Sequence, residues 1–218
     1  MRINQYVAQS TGLSRRAADG LIGKSQVSVN GVVAERGYQV QPGDQVSLNG
    51  QAVNPPDQLQ TLLLNKPVGY VCSRDGQGSP TIYQLIPRQF LHLKPIGRLD
   101  KDSSGLILMT DDGQLANQLS HPKYAKNKVY RVKLNKPLSS NAQKQISHGV
   151  KLIDGPSQLQ LKPLDSQGLT WQVTMHEGRN RQIRRTFVAV GVTVATLQRI
   201  QLADFNLEQL GNKTYLLV

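Results

Sequence analysis

"GRLDKDSSGLILMTDDG", residues 97–113, sets a short apolar run between two clusters of acidic and small polar residues. An unbroken apolar run bounded by turn formers reads as a buried strand, here Leu106 through Met109. Asp111 and Asp112 precede Gly113, and Asp-Gly after a strand is turn chemistry. Asp102, Ser103, Ser104 and Gly105 read as a second turn, in which short side chains bond the local backbone. Asp100 stands apart. It lies between Arg98-Leu99 and that turn, at the mouth of the strand, where a side chain is presented on a rigid support.

Working outward, "TLLLNKPVGYVCS" from Thr61 reads as a buried strand, a break at Lys66-Pro67 with Gly69, and a second strand. "QLANQLS" starts a helix. "KVYRVKL", "QLQLKPL", "LTWQVTMHEG" and "VTVATLQRIQL" supply further strands, most of them alternating. "NRQIRRTFVAVG" is helical, with Ile183, Phe187 and Val190 at i, i+4 and i+7. Strands dominate and helices are interspersed irregularly, which predicts an α+β domain with a mixed, largely antiparallel sheet flanked by helices.

The first fifty residues form a unit of their own. Ile3, Tyr6 and Val7 predict a short helix, and Ser14 caps a second one carrying Ala17, Ala18, Leu21 and Ile22 on one face. Arg15 and Arg16 fall in its exposed first turn. Val27 and Val29 alternate up to Asn30-Gly31, where Val32 and Val33 resume: a hairpin signal. "QPGDQVSL" adds a turn and a strand. "NPPDQLQ" is polar and proline-bearing, so the expected division is residues 1–53, a linker at 54–60, and residues 61–218.

A formal charge of +12 and a pI near 10.0 point to a polyanionic partner, because phosphates attract such a surface through counterion release. No stretch approaches the roughly 20 apolar residues of a spanning helix, so no membrane partner is expected. "MRINQYVAQSTG" has no apolar core of a secretory signal. Cys72 is the single cysteine, and His92, His121, His148 and His176 are scattered, so neither a disulfide nor a metal site is expected. A reducing cytoplasm and a monomer are the expected setting.

Two resemblances sharpen these expectations. "LSRRAADGLI" followed by "VSVNGVV" and "QPGDQVSL" resembles the S4 domain, an RNA-binding module. The resemblance implies that Arg15 and Arg16 contact RNA phosphates; the plain alternative is a solvated basic helix face. The 97–113 stretch resembles the signature of pseudouridine synthases of the RsuA/RluB/RluE/RluF type. "NKPVG" at 65–69, "KVY" at 128–130 and "EGRNRQIRR" at 177–185 agree with it in order.

That resemblance implies an isomerase that cleaves the N1–C1′ bond of a uridine in RNA, turns the freed uracil and rejoins it through C5. Atoms are conserved, so no cofactor is expected. The essential aspartate falls on Asp100, which can act as nucleophile or stabilise charge at the anomeric carbon. The resemblance places its partner cation at Arg184; by spacing, Arg184 follows the apolar-face residue Ile183 and fits the border of that face. Arg179, Arg181 and Arg185 are left as phosphate contacts. Tyr130 is implied to stack on the uracil and to help remove the C5 proton, although its strand pattern equally fits half-buried packing. Arg98 either fills the space of a flipped base or binds phosphate. Lys66 is read as supporting the site.

Thr186 and Gln201 depart from the family pattern, at positions expected near the pocket rim. "SHPKYAKNKVY" resembles the large-subunit type more than the others, which points to 23S ribosomal RNA, free or in an assembly intermediate. The alternatives are 16S ribosomal RNA, a tRNA, or a non-catalytic RNA-binding assembly factor. A hydrolase with paired carboxylates would need Asp100 and Asp102 facing one cleft.

Overall fold

The computed structural model describes all residues of the chain, which divide into two compact units, Met1–Gln60 and Thr61–Val218. In the first, helix α1 (Ile3–Thr11) stops at Gly12 in the left-handed region, and α2 (Arg15–Gly23) follows. Ser14 Oγ accepts the Ala17 amide at 3.1 Å, satisfying one orphan donor of the helix start. Strands β1 (Val27–Val29), β2 (Val32–Val33), β3 (Val46–Leu48) and β4 (Gln51–Ala52) form an antiparallel sheet in the order β2-β1-β3-β4. Asn30 and Gly31 both adopt positive φ, 52° and 82°, as the two-residue hairpin between β1 and β2 requires. Ile3, Val7, Ala18, Ile22, Val27, Val29 and Val46 make the core. Ala17 is exposed, contrary to the expected face, because the cap places it on the outer side of the first turn.

The second unit contains β5 (Thr61–Lys66), β6 (Lys94–Ile96), β7 (Ser104–Thr110), α3 (Gly113–Ser120), β8 (Lys128–Leu134), α4 (Ser140–His148), β9 (Val150–Leu152), β10 (Gly155–Ser157), β11 (Gln160–Pro163), β12 (Thr170–Met175), α5 (Gln182–Ala189), β13 (Val194–Leu202), β14 (Phe205–Asn206) and β15 (Tyr215–Leu217). The main sheet runs β11-β12-β8-β13-β7-β5-β15, with β6 beside β7 and β14 beside β13; β9 and β10 make a separate hairpin. Every pairing is antiparallel except β13 with β7.

Strand β7 is buried on both faces, which is why it reads as a continuous apolar run rather than an alternation. Ile107 and Met109 enter the larger core with Val132, Trp171, Val173, Ile183 and Phe187. Leu106 and Leu108 enter a smaller core, on the other face, with Leu119 of α3, Leu202 and Leu210. Strand β8 instead alternates, turning Tyr130, Val132 and Leu134 inward and Arg131 and Lys133 outward.

Two local expectations are corrected. Residues after Gly69 form no second strand; Val71 makes only an isolated bridge to Thr81, between a positive-φ glycine and the bend that begins at Cys72. Asp112 is a helix cap rather than a hairpin turn, since its Oδ1 accepts the Gln114 and Leu115 amides at 2.7 and 3.1 Å.

The single parallel contact depends on Gly105. Its φ is +105°, and a Cβ there would lie 2.2 Å from the Arg199 carbonyl oxygen. Gly97 also has positive φ, +70°, but with open space around it. Gly105→Ala is therefore expected to destabilise the protein by roughly 3 kcal/mol or more, from backbone clash plus left-handed strain. Gly97→Ala should cost only about 1 kcal/mol, the strain alone. Urea unfolding of the two variants checks this; equal losses would contradict it.

Candidate active site

The segment from Gly97 to Ser103 is built outward from buried anchors. Leu99 is buried, and Cys72 Sγ lies 3.4 Å from both its amide nitrogen and its carbonyl oxygen. The Gly69 amide donates to the Lys101 carbonyl at 2.7 Å. The Ser103 amide returns to the Asp100 carbonyl at 3.1 Å, closing a turn at 100–103; this corrects the turn expected at 102–105, since Ser104 and Gly105 already belong to β7. Lys66, with no exposed surface, donates from Nζ to the carbonyls of Ser103 at 2.7 Å and Pro67 at 2.9 Å. Burial pushes its pKa down, against the pull of Cys72, Asp100 and Asp102. A cation under the turn thus supports both aspartates from below without touching either.

Helix α5 meets this turn from the other side. Ile183 and Phe187 sink into the core and fix the helix rotation, which turns Arg184 and Arg181 toward the turn. Arg181 takes the N-cap position in the left-handed region, φ 46°, a conformation that costs a non-glycine residue on the order of 1 kcal/mol. Its guanidinium donates to both oxygens of Asp102, Nη1 to Oδ1 at 3.1 Å and Nη2 to Oδ2 at 3.0 Å. The same Nη1 lies 3.6 Å from Asp100 Oδ2. Arg184 places Nε 3.3 Å from Asp102 Oδ2, and donates from Nη2 to the Asp102 carbonyl at 2.9 Å and from Nη1 to the Val194 carbonyl at 3.0 Å.

Between the turn, β8 and the start of α5 lies a cleft of about 320 Å³. Arg98, Asp100, Tyr130, Arg179, Arg181 and Ile183 are among the side chains lining it. Its floor is apolar, since Leu99, Tyr130, Ile183 and Leu197 are each less than a tenth exposed. Its mouth is charged: the side chains of Asp100 and Arg181 are 39% and 44% exposed, enough for a ligand to reach them. The arrangement sets a carboxyl group, a flat ring and guanidinium groups around an open cleft with an apolar floor. Such a shape suits a planar polar group attached to an anion.

Asp100, Tyr130, Arg98, Arg181 and Ile183 are therefore brought together, whereas the pairing of Arg184 with Asp100 is corrected. Arg184 binds Asp102 and backbone, does not line the cleft, and its side chain is only 12% exposed. Arg181, read from sequence as a phosphate contact, is the guanidinium beside Asp100. Arg179 and Arg185 are likewise not free cations. Both bind Asp154, Arg185 through two contacts of 3.0 and 2.7 Å, and Arg179 also holds the carbonyls of residues 154–156, pinning the β9–β10 hairpin to α5.

Thr186 is not at the rim: it is fully buried, donating or accepting at Ser157 Oγ, 2.8 Å, and reaching the Gln182 carbonyl at 2.9 Å. Gln201 is outside the cleft lining too, its amide on the Ala203 carbonyl. Arg15 and Arg16 are exposed in the first unit, as expected.

Sequence reading passed over Asp102 and Arg199. Asp102 lies in a stretch whose turn propensity explains it locally, and nothing in the chain signals a tie to residues about eighty positions later. Arg199 did leave a signal: a charged residue inside the apolar strand "LQRIQL". It is 2% exposed and donates from Nε to the Leu106 carbonyl at 2.7 Å, bridging β13 to β7 beside Gly105.

Comparison with known proteins gives this geometry its class. The RNA pseudouridylate synthase family model matches residues 60–189, and the S4 domain model matches residues 1–46. The chain belongs to the RNA pseudouridylate synthase family, and it is an isomerase of that kind with an S4 domain at its start. It is 38% identical to ribosomal large subunit pseudouridine synthase B of Bacillus subtilis (strain 168), over 96% of this chain and 88% of that one. It is 35% identical to ribosomal small subunit pseudouridine synthase A of Pasteurella multocida (strain Pm70), over 95% and 91%. A crystal structure of a pseudouridylate synthase, 32% identical, superposes with a TM-score of 0.71 over 100% of this chain and 96% of that one.

The ion pairs carry a pH signature. The hydrogen bonds from Arg181, followed by the charge of Arg184, hold the Asp102 carboxyl below the usual carboxylate range, and Arg185 does the same for Asp154. A depressed folded-state pKa contributes stability that is complete above the unfolded value, about 4, and lost as pH falls through the folded one. Thermal unfolding between about pH 5 and pH 2 should show wild type losing stability more steeply than Asp102→Asn/Asp154→Asn. Parallel curves would contradict it.

Proposed function

We propose that the protein converts one uridine of ribosomal RNA to pseudouridine, with the large-subunit RNA as its substrate and Asp100 as the reacting carboxylate. The observation that supports this best is the convergence of Asp100, Tyr130 and Arg181 on one apolar-floored cleft, reached from three separate stretches of the chain. The relatives named for the large and the small subunit match almost equally well, so both RNAs enter the test; the large-subunit choice follows the 38% relative and the "SHPKYAKNKVY" segment.

The target base leaves its stack, at a cost of a few kcal/mol, and enters the cleft with its face against Tyr130. Asp100 meets C1′ as the N1–C1′ bond breaks, either bonding to it or stabilising its positive charge. The uracil, held but not bonded, turns to present C5 to C1′, and the C5–C1′ bond forms, displacing the Asp100 oxygen where that had bonded to C1′. The proton on C5 then moves to N1 of the same ring by way of a base, for which Tyr130 and the released Asp100 carboxylate are the groups at hand. Arg181, with Nη1 3.6 Å from Asp100 Oδ2, places a positive charge beside the carboxylate. Arg98, exposed at the mouth, occupies the space the base vacates or a neighbouring phosphate. Arg15 and Arg16 add phosphate contacts from the S4 unit.

The test incubates the protein with unmodified transcripts of 23S and 16S ribosomal RNA and maps pseudouridine chemically. Conversion of one uridine of the 23S transcript is the expected result, and conversion confined to 16S would overturn the large-subunit choice. Asp100→Asn should lose at least about 10³-fold in rate. Its salt-dependent RNA affinity should stay within about twofold, since that rests on cations spread over both units. Activity surviving in Asp100→Asn would remove the carboxylate from the mechanism.

A further inference from the structure

Two carboxylates face one guanidinium at the cleft mouth, and they share it unequally. Asp102 receives two near-parallel hydrogen bonds from Arg181, of 3.1 and 3.0 Å, whereas Asp100 has only a 3.6 Å approach to one nitrogen of the same group. The side-on pair with two parallel bonds is the preferred way for a guanidinium to meet a carboxylate. Asp102 has taken it.

The imbalance has a structural cause. Arg184, whose side chain is nearly buried, fixes Asp102 through both its carboxylate and its backbone carbonyl while anchoring itself on the Val194 carbonyl. Arg181 is the more exposed of the two, its side chain 44% open to solvent at the N-cap of α5. With Asp102 held in place by Arg184, Arg181 meets a fixed carboxylate there in the two-bond arrangement, and Asp100 is left beside a positive charge with its oxygens unclamped.

A reacting carboxylate needs this combination. A neighbouring cation balances its charge, but a two-bond pair would occupy both oxygens and oppose their approach to a sugar carbon. We propose that Asp102 is a positioning residue that holds Arg181 off Asp100, so that the Asp100 oxygens stay available beside a positive charge. The proposal rests on the reading of Asp100 as the reacting group.

The isosteric variant Asp102→Asn tests it, because Arg184 keeps both of its carbonyl acceptors there and the turn keeps its support from Lys66. A crystal structure of Asp102→Asn should show both terminal nitrogens of Arg181 on Asp100; Arg181 unmoved, or turned to solvent, would overturn the proposal whatever the protein's activity. In single-turnover assays on the ribosomal transcripts, the rate should fall about 30-fold while RNA affinity stays within about twofold.

The loss should also depend on Arg181. In an Arg181→Gln background, already slowed, adding Asp102→Asn should cost no more than about twofold further. A full additional loss there would mean that Asp102 acts through the fold alone, which overturns the proposal. Asp100→Asn in the same assay keeps the two readings separate. If it is active, the reading of Asp100 fails; if it is inactive and Asp102→Asn matches wild type, only the positioning role fails.

Discussion

Strands β7 and β13 meet over two residue pairs, Ser104 with Gln198 and Gly105 with Arg199, and the sheet of the second unit hangs on that contact. It joins β11-β12-β8-β13 to β7-β5-β15, and it is the only parallel pairing in the sheet. The two backbones approach so closely that no side chain fits at residue 105, and Arg199 bonds across the junction to the Leu106 carbonyl. The turn carrying Asp100 and Asp102 comes immediately before this junction. Fixing the junction fixes the turn near the beginning of β8 and the start of α5, so one steric constraint places an aspartate, a tyrosine and an arginine around the same volume.

A second layer of order comes from arginines spent on the protein itself. Arg179 and Arg185 secure the β9–β10 hairpin through Asp154, and Arg181 and Arg184 secure the 97–103 turn through Asp102. A run of positive charge that reads as an RNA-facing surface is largely an internal fastening. Each exposed pair contributes little stability on its own, so the value of these contacts lies in geometry. They tie the 97–103 turn and the β9–β10 hairpin to the residues at the start of α5, at the edge of the cleft. Arg98 at the cleft and Arg15 and Arg16 in the first unit are among the exposed cations outside this fastening.

Much of this was legible in the chain because it is local. The apolar run of β7, the Asn30-Gly31 hairpin, the Ser14 cap and the Ile183-Phe187 face follow from neighbouring residues, and the structure has them where the pattern put them. Helix α4 escaped notice because only Ala142 and Ile146 are buried along it, although Ser139 and Gly149 mark its ends. Strand β6 is three residues long around Pro95, too short for any period. The exchange of partners among Asp100, Asp102, Arg181 and Arg184 had no local signature at all. Side chains two or three positions apart on one turn and on one helix start compete in space, and the outcome depends on where Val194 and the junction at Gly105 set the backbone.

The chemistry assigned to the cleft requires a specific arrangement of substrate. A crystal structure of the protein with an RNA carrying the target uridine measures it most directly. The account predicts the uridine flipped out of its stack, its base against Tyr130 and its C1′ within about 3.5 Å of an Asp100 carboxylate oxygen. A uridine bound with C1′ far from Asp100, or an RNA that leaves the cleft unfilled, would contradict it.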